Sequence, residues 1–389
     1  MIDDDMKVLP SMHWTPKKLK IPSKARFIVA AKKCSLKKLA QFVTKVLKMF
    51  YGQIENYYRK SHFFTYIKSL WVIQNKDPVV DSLKKLNTRN NAKRISTYDF
   101  STLYTKIPHN KLKDVLNEIT EFCFKGCGSS KIIIDKFRAS WSHKQSDKSL
   151  KSGKVKWDKD QVKDAISYLL DNCFFTVGDS VYKQIIGIPM GSDPAPFMAN
   201  LFLFYYESGF LREYKKNNLA GARKFGYVFR YIDDLLAVND NGEFENNIIN
   251  IYPKELELKK ENIGYEHATF LDLDITINNK QFSLKLYDKR DDFNFSISRM
   301  PFLSNNMPSR IFYSSFSSEF LRIARCTTGK EDFLASCLNL MDRMWKQGAE
   351  LSRARHSMHN VFKKHTISFM PFFDSSNSFC QHILFGKLG

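Results

Sequence analysis

The sequence lacks any uninterrupted run of eighteen apolar residues, so we expect no membrane-spanning segment. Its most apolar stretch, residues 194–211, is broken by Asn200 and Glu207. No apolar segment follows the acidic start of the chain, so no secretory signal is expected. The seven cysteines form an odd and scattered set among 389 residues, which favours reduced thiols over a disulfide scaffold.

Acidic residues are also scarce, because 40 Asp and Glu stand against 61 Lys and Arg. The resulting net charge of +21 favours a polyanionic partner, and nucleic acid is the first hypothesis. A hydrophobic content of 43% excludes a disordered basic tail, and a chain of this length can bury a large core in two or three lobes. The 33 Phe and 17 Tyr provide stacking surface as well as core.

Apolar periodicity predicts several elements in the first 240 residues. A strand is predicted at residues 26–31, and an amphipathic helix is predicted from Ser35. Residues 174–184 and 228–238 have the pattern of hairpins. The segment after Pro194 predicts a helix that is apolar nearly all round and is therefore buried.

The rest of the chain is punctuated differently. Residues 142–154 are polar and rich in Lys, and we predict a mobile loop there, within an insertion at residues 123–160. Strands are predicted at residues 270–277 and 282–286, and the last hundred residues have helical patterns. There, residues 328–331 match a capping box that opens a helix, and Gly348 is placed to end it.

Two adjacent carboxylates, Asp233 and Asp234, lie at the tip of the predicted hairpin at residues 228–238. Because like charges repel and desolvation adds to the cost, such a pair in an apolar setting indicates a bound cation. Carboxylate oxygens suit Mg²⁺, and phosphoryl chemistry with two metal ions needs a third acid from a distant strand. Asp99, at the end of a predicted strand, is the natural candidate. The alternative is that the Asp-Asp pair forms a plain exposed turn.

Four segments resemble reverse-transcriptase motifs A, B, C and E, in that order. They are residues 99–108 (DFSTLYTKIP), 187–200 (GIPMGSDPAPFMAN), 231–234 (YIDD) and 270–273 (FLDL). The end of the first segment and the whole of the fourth resemble Penelope-like retroelements in particular, and telomerase reverse transcriptase is a related family. Residues 26–31, with the basic residues that precede them, resemble the fingers motifs upstream of motif A.

The resemblance implies an α+β, right-hand polymerase fold with an antiparallel palm sheet, a fingers lobe and a helical thumb. The segments it implies are fingers at 1–95, palm at 96–123, fingers with the Lys-rich insertion at 124–186, palm at 187–288 and helical thumb at 289–389.

The resemblance also implies roles for residues of motifs A and C. Asp99 and Asp233 would bind two Mg²⁺ ions, with Mn²⁺ as a possible substitute, and Asp234 would complete the acidic triad. The main-chain carbonyl of Phe100 would be a further metal ligand. Tyr104 matches the steric gate that excludes a 2′-hydroxyl, so dNTPs would be chosen over rNTPs. The alternative for Tyr104 is an ordinary core aromatic.

Contacts with nucleotide and primer are implied for a second set of residues. These are Lys17 and Arg26 on the triphosphate, Met190 and Gly191 at the floor of the nucleotide pocket, Lys259 or Lys260 as proton donor to pyrophosphate, and Phe270 and Leu271 in the primer grip. In the predicted thumb, Arg322 and Arg325 are three residues apart, so one helix face would follow the phosphates of a template–primer duplex. The alternative is that these arginines only keep the helix soluble.

The function that follows from the resemblance is RNA-directed DNA synthesis by a Penelope-like reverse transcriptase. Its partners would be an RNA template, a DNA primer or RNA–DNA hybrid, and dNTPs, with no membrane, and its location would be nuclear. Two alternatives remain at this point, namely an RNA-dependent RNA polymerase and an inactive relic that only binds nucleic acid. Tyr104 argues against the first alternative, and the presence of all three acids argues against the second.

Overall fold

The structure, a computed structural model, describes residues 9–17, 24–142, 153–290, 292, 297 and 302–385. The chain divides into two compact units, one of residues Met1–Val72 and Tyr98–Lys259 and one of residues Ile73–Thr97 and Lys260–Gly389. The boundaries of fingers, palm and thumb stay predictions. No helix within the described ranges is long and apolar enough to cross a membrane.

The described residues form runs of strands separated by helices, and they end in a run of helices. The strands are β1 (Ser11–Lys17), β2 (Lys24–Ala30), β3 (Ile95–Phe100), β4 (Lys131–Ile134), β5 (Ala139–Ser142), β6 (Val155–Asp158), β7 (Phe174–Val177), β8 (Ser180–Lys183), β9 (Val228–Tyr231), β10 (Asp234–Val238), β11 (Leu258–Lys260), β12 (His267–Phe270), β13 (Leu273–Asn278) and β14 (Gln281–Leu286). The helices are α1 (Lys37–Thr65), α2 (Asp77–Asn87), α3 (Leu103–Lys106), α4 (His109–Cys127), α5 (Lys159–Asp171), α6 (Ala195–Asn217), α7 (Leu219–Lys224), α8 (Glu243–Ile251), α9 (Ser309–Cys326), α10 (Lys330–Lys346), α11 (Leu351–Lys364), α12 (Thr366–Phe369) and α13 (Ser376–Phe385).

Helix α1 confirms the amphipathic helix that was predicted from Ser35. Its buried positions include Val43, Leu47, Phe50 and Ile54, which recur at spacings of three and four residues. Residues at that spacing share one face of a helix, so this face packs into the core of the first unit. The helix continues for 29 residues, well beyond the buried positions, and its C-terminal end is exposed.

Helix α6 confirms the buried helix that was predicted after Pro194. Leu201, Phe202, Leu203 and Phe204 are consecutive and all buried, so the central part of the helix is surrounded by core. A helix of this kind needs few polar side chains, and any that it buries must find a partner inside the protein. This requirement bears directly on the site described below.

A four-stranded sheet of order β11-β3-β10-β9 carries the candidate carboxylates. Strands β9 and β10 pair antiparallel with Tyr231 opposite Asp234, which confirms the hairpin predicted at residues 228–238. Only Ile232 and Asp233 lie between the two strands, so the connection is a two-residue turn.

A second sheet of the first unit has the order β2-β1-β7-β8. Strand β2 confirms the strand predicted at residues 26–31, and β7 and β8 confirm the hairpin at residues 174–184, with Gly178 at positive φ in its turn. Strand β1 was not predicted, because Pro10 and Pro16 flank or enter it. It pairs antiparallel with β2 along its whole length and parallel with β7 where Ser11 meets Thr176.

Within residues 123–160, which were predicted to be an insertion, the described residues form regular structure. Helix α4 runs on to Cys127, and β4 forms antiparallel pairs with both β5 and β6. Trp141 stacks on Phe50 of α1 at 5.9 Å, and Trp157 meets Phe42 edge-on at 6.0 Å between ring centroids. These aromatic contacts make the small sheet part of the core. The predicted mobile loop falls mainly on residues 143–152, which lie outside the described residues.

The second unit contains the sheet β12-β13-β14 and the helices from α9 onward. The strand predicted at residues 270–277 is wrong in one respect, because Leu271 and Asp272 have positive φ and form a turn between β12 and β13. The strand predicted at residues 282–286 is confirmed by β14. Helices α9 to α13 confirm the helical character of the C-terminal part.

Two predictions concern the ends of helix α10. The one for its start is wrong, and the one for its end is correct. The capping box at residues 328–331 is absent, because Gly329 is the N-cap and the Thr328 hydroxyl instead accepts a hydrogen bond from the Leu284 amide at 2.9 Å. Gly348 follows the last turn with φ of +90°, and its amide donates to the Trp345 carbonyl at 3.0 Å. A glycine in this left-handed position ends the helix as predicted.

A lysine, Lys68, has its ammonium buried in the first unit just after helix α1. It donates to the Val228 carbonyl at 2.8 Å and lies 3.7 Å from the centroid of the Phe229 ring. No carboxylate is among these partners, and burial lowers the pKa of Lys68 to about 7. The folded state therefore holds this amine less firmly protonated than the unfolded chain does.

Lys68 predicts a specific pH dependence of stability. Between about pH 7 and 10 the unfolded chain keeps a proton on Lys68 that the folded state has lost, so this residue makes the free energy of unfolding rise with pH. Lys68→Met should flatten that rise relative to wild type, as measured by urea unfolding across this range. Lys215→Met removes an exposed lysine of α6 and is the control. Parallel profiles for wild type and Lys68→Met would contradict the assignment.

Candidate active site

The three candidate carboxylates lie on neighbouring parts of one sheet. Asp99 is the penultimate residue of β3, Asp233 is in the β9–β10 turn, and Asp234 is the first residue of β10. Strand β3 lies next to β10, and the Phe100 amide donates to the Asp233 carbonyl at 3.1 Å. All three carboxylates are half-buried. The fold thus brings Asp99 beside the acidic turn across a long sequence separation.

Metal binding by this set stays a prediction. Among the described residues, no three His, Cys, Asp or Glu side chains form a group arranged to hold a metal ion. The donor chemistry nevertheless suits Mg²⁺, because carboxylates are the hard oxygen ligands that this ion prefers. Asp99, Asp233 and Asp234 are the residues that would hold it, and the main-chain carbonyl of Phe100 is the further predicted ligand.

The turn between β9 and β10 has an unusual backbone. Ile232 has φ of +55°, a left-handed conformation that a β-branched side chain rarely adopts. A two-residue hairpin with positive φ at its first central position normally places glycine there. Strain of this kind costs about 1–3 kcal/mol and persists only where the surroundings impose it. The position of Asp233 therefore depends on what holds Ile232.

Arg230 is the residue whose buried side chain fixes the backbone of this turn by hydrogen bonding. Its Nη1 donates to the Ile232 carbonyl at 3.1 Å and to the Asn200 side-chain oxygen at 2.8 Å. Its Nε and Nη2 form a two-pronged ion pair with Glu207 at 2.5 and 3.1 Å. The side chains of Arg230 and Glu207 have no exposed surface. The strained residue is thus tied to the core by a charge-assisted network.

Two further contacts fix the same network from other segments. The Tyr252 hydroxyl donates to Glu207 at 2.9 Å, and burial is the largest cause that raises the pKa of Tyr252 well above its usual value. The backbone of Arg230 also donates to the Trp71 carbonyl at 2.8 Å. Helix α6, strand β9 and the segment after α8 therefore meet at one buried ion pair, and the segment around Trp71 holds the backbone of Arg230.

Tyr104 lies close to the acidic turn. Burial raises the pKa of Tyr104 to about 12, and the charge of Asp233 adds to that effect. The phenol is therefore protonated at neutral pH. Its carbonyl accepts a hydrogen bond from the Ile188 amide at 2.8 Å, which joins motif A to motif B. This placement next to Asp233 is compatible with the predicted gate.

The motif B loop makes close backbone contacts that require glycine. The Val29 amide of β2 donates to the Met190 carbonyl at 2.8 Å. Gly191 has φ of +106°, and a Cβ there would lie 2.1 Å from the Val29 carbonyl oxygen. Any larger residue would push β2 away from the loop. Met190 and Gly191 are thereby placed against the strand that carries Arg26.

The predicted phosphate ligands occupy different environments. Lys17 ends β1 opposite Lys24, and Arg26 is exposed on β2 opposite Thr15. Lys259 forms an exposed ion pair with Glu257 at 3.1 Å. In the second unit, Lys260 lies 3.9 Å from the centroid of the Tyr265 ring. These placements leave the proposed contacts of all four residues as predictions.

The predicted primer and duplex contacts lie in the second unit. Phe270 is the buried last residue of β12, and Leu271 is in the following turn at φ of +49°. Arg322 is engaged by Glu319 at 2.9 Å and lies 3.7 Å from Asp272. Arg325 is exposed, so it is better placed than Arg322 for a phosphate contact.

The buried network around Arg230 is the part of the site that sequence reasoning missed. The signal was present, because Asn200 and Glu207 interrupt the most apolar stretch and are seven residues apart. Residues at that spacing lie on one helix face, so Asn200 and Glu207 point the same way. An unpaired acid inside such a helix requires a buried cation as its partner, and Arg230 supplies it.

Comparison with known proteins shows the fold. No protein-family model and no curated protein matches the sequence. Telomerase from Candida albicans, in complex with a TWJ fragment of telomeric RNA, aligns with a TM-score of 0.68 at 11% identity over 97% of this chain and 63% of that chain. Apo telomerase from Candida tropicalis aligns with a TM-score of 0.50 at 10% identity over 99% of this chain and 66% of that chain.

A telomerase structure from Candida tropicalis with the same kind of RNA fragment aligns with a TM-score of 0.50 at 12% identity. It is matched over 99% of this chain and 61% of that chain, so the chain spans less than two thirds of each of these three telomerase chains. The chain has a reverse-transcriptase-like polymerase fold of antiparallel sheets and helices, and the predicted α+β fold is confirmed.

The buried ion pair predicts a large difference between two acids of helix α6. Glu207→Gln leaves the Arg230 charge uncompensated in the core, so the free energy of unfolding should fall by about 3 kcal/mol or more. Glu213→Gln removes an exposed partner of Lys216 on the same helix and should change it by less than about 0.5 kcal/mol. Urea unfolding of both variants measures this, and equal losses would contradict the assigned role of the pair.

Proposed function

We propose that this protein is an RNA-directed DNA polymerase that extends a primer 3′-hydroxyl with deoxynucleoside triphosphates. The observation that carries the proposal is the pairing of β3 with β10, which sets Asp99 beside the Asp233–Asp234 turn. The order of the four reverse-transcriptase motifs and the telomerase-like fold support it. Membership of the Penelope-like group and a nuclear location are part of the same proposal and rest on the motif resemblance.

In this reaction the primer 3′-oxygen attacks the α-phosphate of the nucleotide, and pyrophosphate leaves. Asp99, Asp233 and Asp234 would hold two Mg²⁺ ions, which supply activation of the primer oxygen and neutralisation of the leaving group. The protein's own contribution is to keep these carboxylates in register through the β3–β10 pairing and the Arg230 anchor. Such positioning accounts for most of the catalysis in phosphoryl transfer.

Selection of the sugar is assigned to Tyr104. Its side chain is half-buried, and the charge of Asp233 acts on its hydroxyl, so Tyr104 is close enough to the carboxylates for its ring to meet a sugar bound over them. The floor below the nucleotide would be the Met190–Gly191 backbone, held against β2 by the Val29 contact. Arg26 on that strand, with Lys17 on its neighbour, would bind the triphosphate, because guanidinium forks suit phosphate oxygens.

The template and primer are proposed from the chain's charge and from its relatives. A net charge of +21 suits a polyanion, and two of the telomerase structures contain an RNA fragment. Primer extension on an RNA template with Mg²⁺, offered dNTPs or rNTPs in separate reactions, tests the proposal. Extension with dNTPs supports it. Extension with rNTPs alone would indicate an RNA polymerase, and binding without extension an inactive relic.

The acidic turn predicts a loss of chemistry without a loss of binding. Asp233→Asn removes a carboxylate from the turn, so extension should fall on the order of 100-fold or more, as when other enzymes lose one group that stabilises transition-state charge. Asp179→Asn changes an exposed aspartate in the β7–β8 turn and is the control. Extension rates and hybrid affinities of both variants measure this, and normal extension by Asp233→Asn would exclude the assignment.

Tyr104 predicts a change in sugar choice. Tyr104→Ala opens space beside Asp233, so the preference for dNTPs over rNTPs should drop about tenfold or more, the equivalent of roughly 1.4 kcal/mol of discrimination. Tyr104→Phe keeps the ring and should keep the preference. Incorporation rates for matched dNTP and rNTP pairs give the answer. Unchanged selectivity in Tyr104→Ala would return this residue to the role of a core aromatic.

A further inference from the structure

The C-terminal end of helix α1 exposes a group of large aromatic side chains. Phe63 and Phe64 are 76% and 78% exposed, Tyr57 is 54% exposed, and Tyr66, just past the helix, is 73% exposed. Scattered single aromatic residues are common on protein surfaces, whereas four exposed large aromatic side chains within residues 57–66 mark a candidate binding surface. We call Tyr57, Arg59, Lys60, Phe63, Phe64 and Tyr66 the α1-end patch.

The aromatic rings of the α1-end patch contact mainly other rings of the same surface. Phe63 and Phe64 meet edge-on at 5.4 Å between centroids, and Tyr57 meets Phe122 of helix α4 at 5.5 Å. The first contact keeps Phe63 and Phe64 together, and Tyr57, Phe63 and Phe64 each leave more than half of their surface in water. The aromatic faces are therefore available to a flat partner.

The charged side chains of this segment after the exposed Glu55 are basic. No Asp or Glu occurs between residues 56 and 72, while Arg59 and Lys60 are both exposed. Tyr57, Lys60 and Phe64 follow one another at spacings of three and four residues, so they lie on one face of the helix over about 10 Å. An aromatic, basic, aromatic order along one face matches a strand whose bases stack and whose phosphates are neutralised.

The backbone at the end of the α1-end patch is also unusual. Tyr66 occupies the left-handed position after the helix with φ of +55°, where glycine is the favoured residue. A tyrosine here costs about 1 kcal/mol relative to glycine, and its exposed ring recovers little of that cost by packing. In this conformation Tyr66 turns the chain sharply. Its exposed ring follows Phe63 and Phe64 closely in the sequence.

The α1-end patch is distinct from the candidate active site. Beyond Tyr66 the chain runs alongside β9, with Lys68 bound to Val228 at the first residue of that strand and Val72 paired with Arg230 near its end. The chain therefore joins the helix to the end of β9 that is opposite the Ile232–Asp233 turn. A ligand on this surface would bind apart from the carboxylates.

We propose that the α1-end patch binds single-stranded nucleic acid. Bases stack on Tyr57 and Phe64, with Phe63 beside Phe64, and Lys60 between them on the same helix face binds the neighbouring phosphate. Stacking on exposed aromatic residues does not depend on base identity, so the surface binds without sequence preference. This inference is independent of the polymerase chemistry, because it concerns binding at a second surface.

The test measures binding of a fluorescein-labelled twelve-nucleotide oligo(U) by fluorescence anisotropy. The full chain is used in the presence of saturating unlabelled RNA–DNA hybrid, so that the duplex-binding surface is occupied. The variant with both Lys60→Ala and Phe64→Ala should bind at least about fivefold more weakly, with a salt slope smaller by about 0.7. The control carries Lys215→Ala and Ile249→Ala, which remove one exposed charge and one exposed apolar side chain elsewhere.

Two single variants separate stacking from general apolar contact. Phe64→Trp should keep the affinity for oligo(U), and Phe64→Leu should lose it, because only the aromatic ring stacks on a base. Equal affinity of wild type and the Lys60→Ala, Phe64→Ala variant, or equal losses in that variant and the control, would overturn the proposal. Full affinity in Phe64→Leu would also overturn it, because stacking on this ring would then not contribute to the binding of oligo(U). Each readout is binding, so it remains interpretable whether or not primer extension is observed.

Discussion

The ion pair between Arg230 and Glu207 is the interaction on which the candidate site depends. Both side chains are fully buried, so each would be strongly unfavourable without the other. Their geometry is two-pronged, and Asn200 and Tyr252 satisfy further donor and acceptor positions. The pair therefore joins the buried helix, the central hairpin and the segment after α8 at one point. Its importance lies less in net stability than in forcing these elements into one arrangement.

The strain at Ile232 becomes understandable from this anchor. A left-handed β-branched residue would normally relax, but its carbonyl is held by Arg230, whose other donors are committed to Glu207 and Asn200. The Arg230 charge is matched within the core, so the buried pair is neutral as a whole. The acidic turn is thus positioned by a cation whose charge is already compensated. Because Arg230 is already paired with Glu207, it does not draw the two adjacent carboxylates of the hairpin into an ion pair with itself.

Much of the fold followed from local pattern, and the exceptions have identifiable causes. The buried face of α1, the buried part of α6 and the β9–β10 hairpin were predictable, because burial sets the pattern of apolar residues in each of them. Strand β1 was missed because Pro16 lies within it and Pro10 just before it, and its strand conformation depends on pairing with β2 and β7. Strands β4 to β6 are only four residues each, and aromatic packing on α1 defines them more than their own sequence does.

The candidate site and the start of helix α10 show the same difference between features that follow from the sequence and features that depend on tertiary contacts. Asp99, Asp233 and Asp234 were recognisable as a set from motif order, and their adjacency is a property of the sheet. Thr328 satisfied a local capping pattern yet bonds to β14 instead, so a tertiary contact replaced a local one.

Strand β3 has a further consequence, which concerns how the chain is made. Both of its sheet neighbours, β10 and β11, follow it by roughly 130 residues or more. At a synthesis rate of about 5–20 residues per second, β3 waits on the order of 10 s for its first partner. During that interval a strand of mostly buried residues has two unpaired edges, which can pair with other chains. We therefore expect nascent-chain aggregation, rather than instability of the finished fold, to be the main vulnerability of this architecture.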